Sequence, residues 1–160
     1  DPPTDVVLIG LGSRFAGDDA IGPLVVHRVA ERRPTLAVLE GAGDALTILS
    51  AWQGFERAVV VDAAVTGRAA EPGTVYRLEN ASSIAPKSLA RCSNHGGGLA
   101  EALALGKALG RTPASLTVFA IEAGSFEPGA DLSPALAQRF DELVAQVLHE
   151  IDSVRPVLES

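Results

Sequence analysis

Three short apolar runs, DVVLIGL (Asp5–Leu11), AVVVD (Ala58–Asp62) and LTVFAI (Leu116–Ile121), recur along the chain with helix-periodic segments between them. Nearly continuous apolar runs of this length are the pattern of strands covered on both faces. The intervening segments carry a different rhythm. Within Asp18–Arg33, the residues Ile21, Leu24, Val25 and Val29 share one helical stripe, and Pro23 fits its first turn. Asp18 or Asp19 stands where a side chain caps that helix. Asp44–Trp52, closed by Gly54, and Gly98–Leu109, with Leu99, Leu103 and Leu109 in register, read as two more helices. A last helix is expected after Ser133, its stripe formed by Leu136, Phe140, Leu143, Val144, Val147 and Ile151. Thr35–Leu39 reads as the second strand in chain order and Gly73–Leu78 as the fourth. Strands and helices that alternate in this way predict a three-layer α/β/α sandwich with a five-stranded, mostly parallel sheet.

One connection breaks the pattern. Ala63–Pro72 is shorter than the dozen or so residues a parallel crossover needs. The fourth strand is therefore predicted to run antiparallel to the third, at or near an edge. Glu79–Asn94 is polar and interrupted by Pro86, so it reads as a loop, as does Gly124–Asp131; the chain after Arg155 reads as a loose tail.

Composition narrows the function classes. At 160 residues, with 47% apolar and 21% charged, the chain is expected to form one packed domain over residues 1–160. A net charge of −7 argues against a nucleic-acid surface and against a polybasic membrane anchor. The single cysteine, Cys92, excludes an intrachain disulfide framework and a cysteine-based zinc site. No apolar run approaches the roughly 20 residues of a membrane span, and Asp1–Thr4 has no signal-peptide character. A cytoplasmic location is expected. There is no methionine, so the natural start is expected upstream of Asp1.

Ligands of such sheets bind outside the carboxyl ends of the strands, which directs attention to the polar residues there. The first strand runs into Gly10-Leu11-Gly12-Ser13-Arg14-Phe15-Ala16-Gly17-Asp18-Asp19. A dinucleotide fingerprint needs a glycine where Phe15 stands, and two carboxylates at a helix start would repel a pyrophosphate. If one aspartate caps the helix, the second is left to point across the sheet edge. Asp62 terminates the third strand, and His95 lies in Ser93-Asn94-His95-Gly96-Gly97-Gly98, just before a helix. His27 and His149 sit on amphipathic helices and are expected to be solvated. Two carboxylates and one imidazole form an O/O/N set suited to nickel, zinc or iron with positions open for substrate. No G-x-S-x-G elbow is present, and nothing around Cys92 suggests an activated thiol.

Four stretches together resemble the hydrogenase maturation endopeptidases, which trim the large subunit of nickel–iron hydrogenases. They are Ile9–Gly12 through Gly17-Asp18-Asp19-Ala20-Ile21-Gly22, Val60-Val61-Asp62-Ala63, Ser93-Asn94-His95 through Gly98-Leu99, and Ile121–Gly124 through Leu132-Ser133-Pro134. The resemblance implies that Asp19, Asp62 and His95 bind nickel, the same three residues that the strand ends single out, and that they are the catalytic set. It also implies that no metal or organic cofactor is stored, the nickel arriving transiently with a hydrogenase large-subunit precursor. Ser13 departs from the family, which usually has asparagine there. Glu40 falls where the family often has an acidic residue, with a role in substrate binding or simply as a solvated strand end. Glu122 reads either as a partner behind the ligands or as a surface residue, and Cys92 as a small loop residue.

The implied activity is that of an endopeptidase removing a C-terminal extension after nickel insertion. Two routes to an activated water fit it: polarisation by the metal, or a carboxylate acting as base. Two alternatives of other kinds are a non-hydrolytic, nickel-dependent docking protein using the same ligands and, disfavoured by the acidic helix start, a nucleotide-binding module.

Overall fold

The computed structural model describes residues 5–66, 70–79 and 98–153. Its elements are β1 (Val6–Leu11), a 3-10 turn (Gly17–Ala20), α1 (Ile21–Arg32), β2 (Ala37–Ala42), α2 (Ala45–Trp52), β3 (Arg57–Ala64), β4 (Val75–Leu78), α3 (Gly98–Leu109), β5 (Ser115–Glu122) and α4 (Pro134–Asp152). The five strands form one sheet in the order β2-β1-β3-β5-β4. All neighbours are parallel except β4, which pairs antiparallel with β5.

The strand residues alternate between two apolar layers, as the pleat requires. Val6, Leu8, Val59, Val61, Phe119 and Ile121 pack with α1 and α4. Val7, Ile9, Val60, Leu116 and Val118 pack with α2 and α3 around Trp52, whose indole Nε1 donates to the Arg111 carbonyl at 3.1 Å. Both faces of β1, β3 and β5 are thus buried, which accounts for their uninterrupted apolar sequences. The α4 stripe read from sequence is the buried face, with Phe140 partly covered at its margin.

The fourth strand is at an edge and opposed in direction to β3, but its hydrogen-bonding partner is β5. The eight residues of β5 occupy the free edge of β3, with Asp62 opposite Ala120 and Ala64 opposite Glu122, and this displaces β4 outward. β3 also runs two residues past Asp62, into what reads in sequence as linker. β2 starts and ends later than the Thr35–Leu39 reading. Leu36 N bonds back to the Arg33 carbonyl in a turn, and pairing with β1 carries the strand through Glu40 to Ala42, with a register shift between Gly10 and Leu11. Most of the Glu79–Asn94 loop and the tail after Arg155 lie outside the described residues.

Capping differs from the sequence reading in two places. The 3-10 turn intervenes before α1, so Ala20 holds the cap position and neither Asp18 nor Asp19 caps the helix. Ser133 does stand at the cap of α4, but its hydroxyl donates to the Asp18 carboxylate at 2.8 Å instead of serving the helix. At α2, Asp44 caps as its type predicts, accepting from Thr47 N at 3.0 Å and Thr47 Oγ1 at 2.6 Å. These bonds, the hydroxyl first, hold the Asp44 carboxyl below its ordinary value. A carboxyl lowered in the folded state contributes stability above its unfolded pKa and loses it as pH falls through the folded one. The wild type is therefore expected to melt above Asp44→Ala at neutral pH, the gap closing once acid protonates the cap. Thermal melts of both proteins across the acid range check this.

Candidate functional site

The carboxyl ends of β1 and β3 are drawn under the start of α1 by glycine. A Cβ at Gly22 would stand 2.4 Å from the Leu11 carbonyl oxygen and 2.6 Å from that of Val61, and one at Gly10 would stand 2.6 Å from the Gly22 carbonyl oxygen. No real side chain tolerates such approaches, so the helix start lies directly on the two strand ends. Gly12, at φ +118°, completes the turn; a Cβ there would meet the Asp19 carbonyl oxygen at 2.1 Å.

Asp19 sits in the 3-10 turn, 7% exposed, and its Oδ2 accepts from Ser13 N at 2.8 Å. The main chain of Ser13 thus serves the carboxylate, while its hydroxyl turns to accept from Phe15 N at 3.2 Å. Asp62 is 1% exposed and lies immediately after Val61, whose carbonyl rests against Gly22. Two buried carboxylates therefore lie towards the carboxyl side of adjacent parallel strands, Asp62 near the end of β3 and Asp19 in the turn that follows β1, on the side where an open α/β sheet takes its ligand. His95 and Cys92 lie outside the described residues. Among the described residues, no three of histidine, cysteine, aspartate and glutamate come together as metal donors.

Asp18, the other member of the pair, has a different task. Fully buried, its carboxylate accepts from Gly124 N at 2.7 Å, Ser125 N at 3.1 Å, Ser133 N at 2.6 Å and Ser133 Oγ at 2.8 Å. It is the cross-link between the β1–α1 connection and the β5–α4 loop. The two readings kept for Glu122 separate in favour of an interior residue. It is 6% exposed and accepts from Thr66 Oγ1 at 2.6 Å, Thr66 N at 3.2 Å and the Tyr76 hydroxyl at 3.1 Å. Through the β3–β5 register it lies one pleat beyond Ala120, the residue opposite Asp62, and so projects from the same face as Asp62. Tyr76 carried no signal on its own; its place follows from its pairing with Ala120.

Glu40 lies within β2 and not at its end. Its Oε1 is shared by Arg14 Nη2 at 3.1 Å and His27 Nδ1 at 3.2 Å. His27 is thus half-exposed but paired, whereas sequence alone left it merely solvated. Gly12, Ser13, Arg14, Phe15, Pro23, Glu40 and Gly41 line a cavity of about 300 Å³ beside Asp19.

The site is thus an α/β sheet edge carrying buried carboxylates where a nucleotide-binding protein keeps a glycine-rich phosphate loop. A family model described as hydrogenase maturation protease (HycI) matches residues 24–150, and the chain belongs to that family of maturation peptidases. The matched span includes Asp62 and His95 and begins after Asp19. Among solved structures, the hydrogenase maturating endopeptidase HybD from Escherichia coli is similar at 24% identity and TM-score 0.80 over 92% of each chain. A solution structure of an endopeptidase from the same organism matches at 24% identity and TM-score 0.78, covering 93% of this chain and 94% of the other. The nickel–iron hydrogenase maturation protease HybD from Thermococcus kodakarensis matches at 21% identity and TM-score 0.73, covering 93% and 100%. At these identities the likeness is one of fold. No curated protein matches the sequence. No helix among the described residues is long and apolar enough to cross a membrane.

Proposed function

We propose that this peptidase removes the C-terminal extension of a nickel–iron hydrogenase large-subunit precursor after nickel insertion, and that Asp19, Asp62 and His95 meet the substrate's nickel. The observation that carries the reading is the two buried carboxylates, Asp62 near the end of β3 and Asp19 in the turn after β1, in a chain of this family. Carboxylate oxygens and an imidazole are donors that a divalent nickel ion accepts. An O/O/N set of three leaves positions open and holds free metal poorly, so the metal comes with the precursor. Its place among the ligands then fixes the scissile bond, and either the metal or a carboxylate activates the attacking water.

The reading predicts a requirement that ordinary peptidases lack. Incubated with nickel-loaded precursor, the protein is expected to yield a shortened large subunit by mass measurement, while nickel-free precursor and unrelated proteins stay intact. Equal cleavage of metal-free precursor would overturn the nickel dependence and spare the peptidase. Binding of the loaded precursor without any cleavage would overturn the peptidase and leave a docking protein.

A further inference from the structure

We infer that Phe15 is a substrate-docking residue: its ring receives an apolar side chain of the precursor polypeptide at the mouth of the Arg14–Glu40 cavity, beside the loop that holds Asp19. The inference rests on the peptidase reading above and adds to it a binding element and the chemistry it selects.

Isolated apolar residues on a surface are ordinary. Leu46 and Leu109, also exposed, lie on the helices α2 and α3 and need no explanation. Phe15 differs in three respects. It is 78% exposed although it sits four residues before the buried Asp19. Its main chain is held on both sides: Phe15 N donates to Ser13 Oγ, and the Phe15 carbonyl accepts from Gly129 N at 2.6 Å. On either side of it, Gly17 N donates to the Ala130 carbonyl at 3.1 Å, and Ala16 bridges to Pro128. The ring is therefore presented by a fixed backbone, and ordering its two side-chain torsions costs little on binding.

The third respect is where its cavity lies: Ser13, whose N donates to Asp19, lines it too, whereas the cavity that Leu46 borders is lined by Leu39, Thr47, Ser50 and Ala51 and holds no acidic residue. Gly12 and Gly41 form part of the lining beside Phe15 and carry positive φ of +118° and +82°. At both positions the missing side chain leaves room for the protein's own turn, with the Asp19 carbonyl against Gly12 and the Gly12 carbonyl against Gly41. Phe15 and Pro23 supply apolar wall, and the opposed charges of Arg14 and Glu40 are spent on each other at 3.1 Å. A cavity with apolar lining and an internally neutralised pair favours an uncharged, apolar side chain, which in a peptidase the precursor polypeptide carries. Its link to Asp19 is one residue long, since Ser13 lines the cavity and donates to Asp19. A chain seated there lies against the loop that holds Asp19.

Titrating nickel-loaded precursor against wild type, Phe15→Ala and Phe15→Leu tests this, with Kd measured separately from KM and kcat. Phe15→Ala is expected to raise Kd and KM together by about tenfold, the size typical of a truncated aromatic anchor, and Phe15→Leu to restore most of the loss. Unchanged Kd and KM in Phe15→Ala would overturn docking at this ring, as would a loss confined to kcat. A wild type that binds the precursor through Phe15 without cutting it would overturn the peptidase reading and leave the docking standing. A wild type that cuts while Phe15→Ala binds equally well would do the reverse.

Discussion

Asp62→Ala is expected to leave a folded protein that no longer processes nickel-loaded precursor, with a rate loss of about 10²–10⁴-fold, the range for deleting a group that acts on a proton in the transition state. The expectation follows from the proposed role of Asp62 as nickel ligand, and as base where a carboxylate activates the water. Asp62 lies inside β3 at 1% exposure, so its environment is less forgiving than that of a loop residue. Asp62→Asn is therefore the second variant. It keeps the shape and removes the charge, and it is expected to fail in processing as Asp62→Ala does while retaining a melting temperature nearer wild type. Circular dichroism establishes folding, and mass measurement of the large subunit reads processing. A folded Asp62→Asn or Asp62→Ala protein that processes at the wild-type rate would refute the role given to this carboxylate.

Asp62 also shows what sequence could and could not convey. It was legible because a strand buried on both faces writes itself as an apolar run, and the first carboxylate after Val59-Val60-Val61 marks the ligand end of the sheet. Asp19 was legible as the second of two acids at a helix start. What Asp18 does was not legible, because its partners are 106 to 115 residues further along the chain. The same non-locality hid the partner of β4. A short connection fixes a strand's direction but not its neighbour, and β5, which took the place beside β3, comes later in sequence. The shared Glu40 carboxylate belongs with these cases. Its ties to Arg14 and His27 depend on β2 lying beside β1 under the start of α1, which no local pattern encodes.

The largest stability effect is expected at Asp18. Asp18→Ala would strip the acceptor from Gly124 N, Ser125 N, Ser133 N and Ser133 Oγ at once, in a fully buried position. Hydrogen bonds to a charged group contribute about 1.5–3 kcal/mol each, and donors left buried cost further. Those bonds are not additive, and water entering the vacated space recovers part of the loss, so the expected destabilisation is about 3–5 kcal/mol. For a chain of this length that corresponds to a fall in Tm of roughly 6–20 °C. Ser133→Ala removes only one of the four bonds and is expected to cost about 1 kcal/mol. Asp18→Asn turns an amide towards four donors and is expected to fall nearer Asp18→Ala than wild type. Thermal melts of the three variants rank them, and an Asp18→Ala protein melting within about 2 °C of wild type would show that the cross-link contributes little. The loop that Asp18 anchors is the one whose Gly129 N and Ala130 carbonyl hold the Phe15 segment. Asp18→Ala is therefore expected to weaken precursor binding along with the fold, whereas Phe15→Ala weakens binding and leaves the melting temperature where it was.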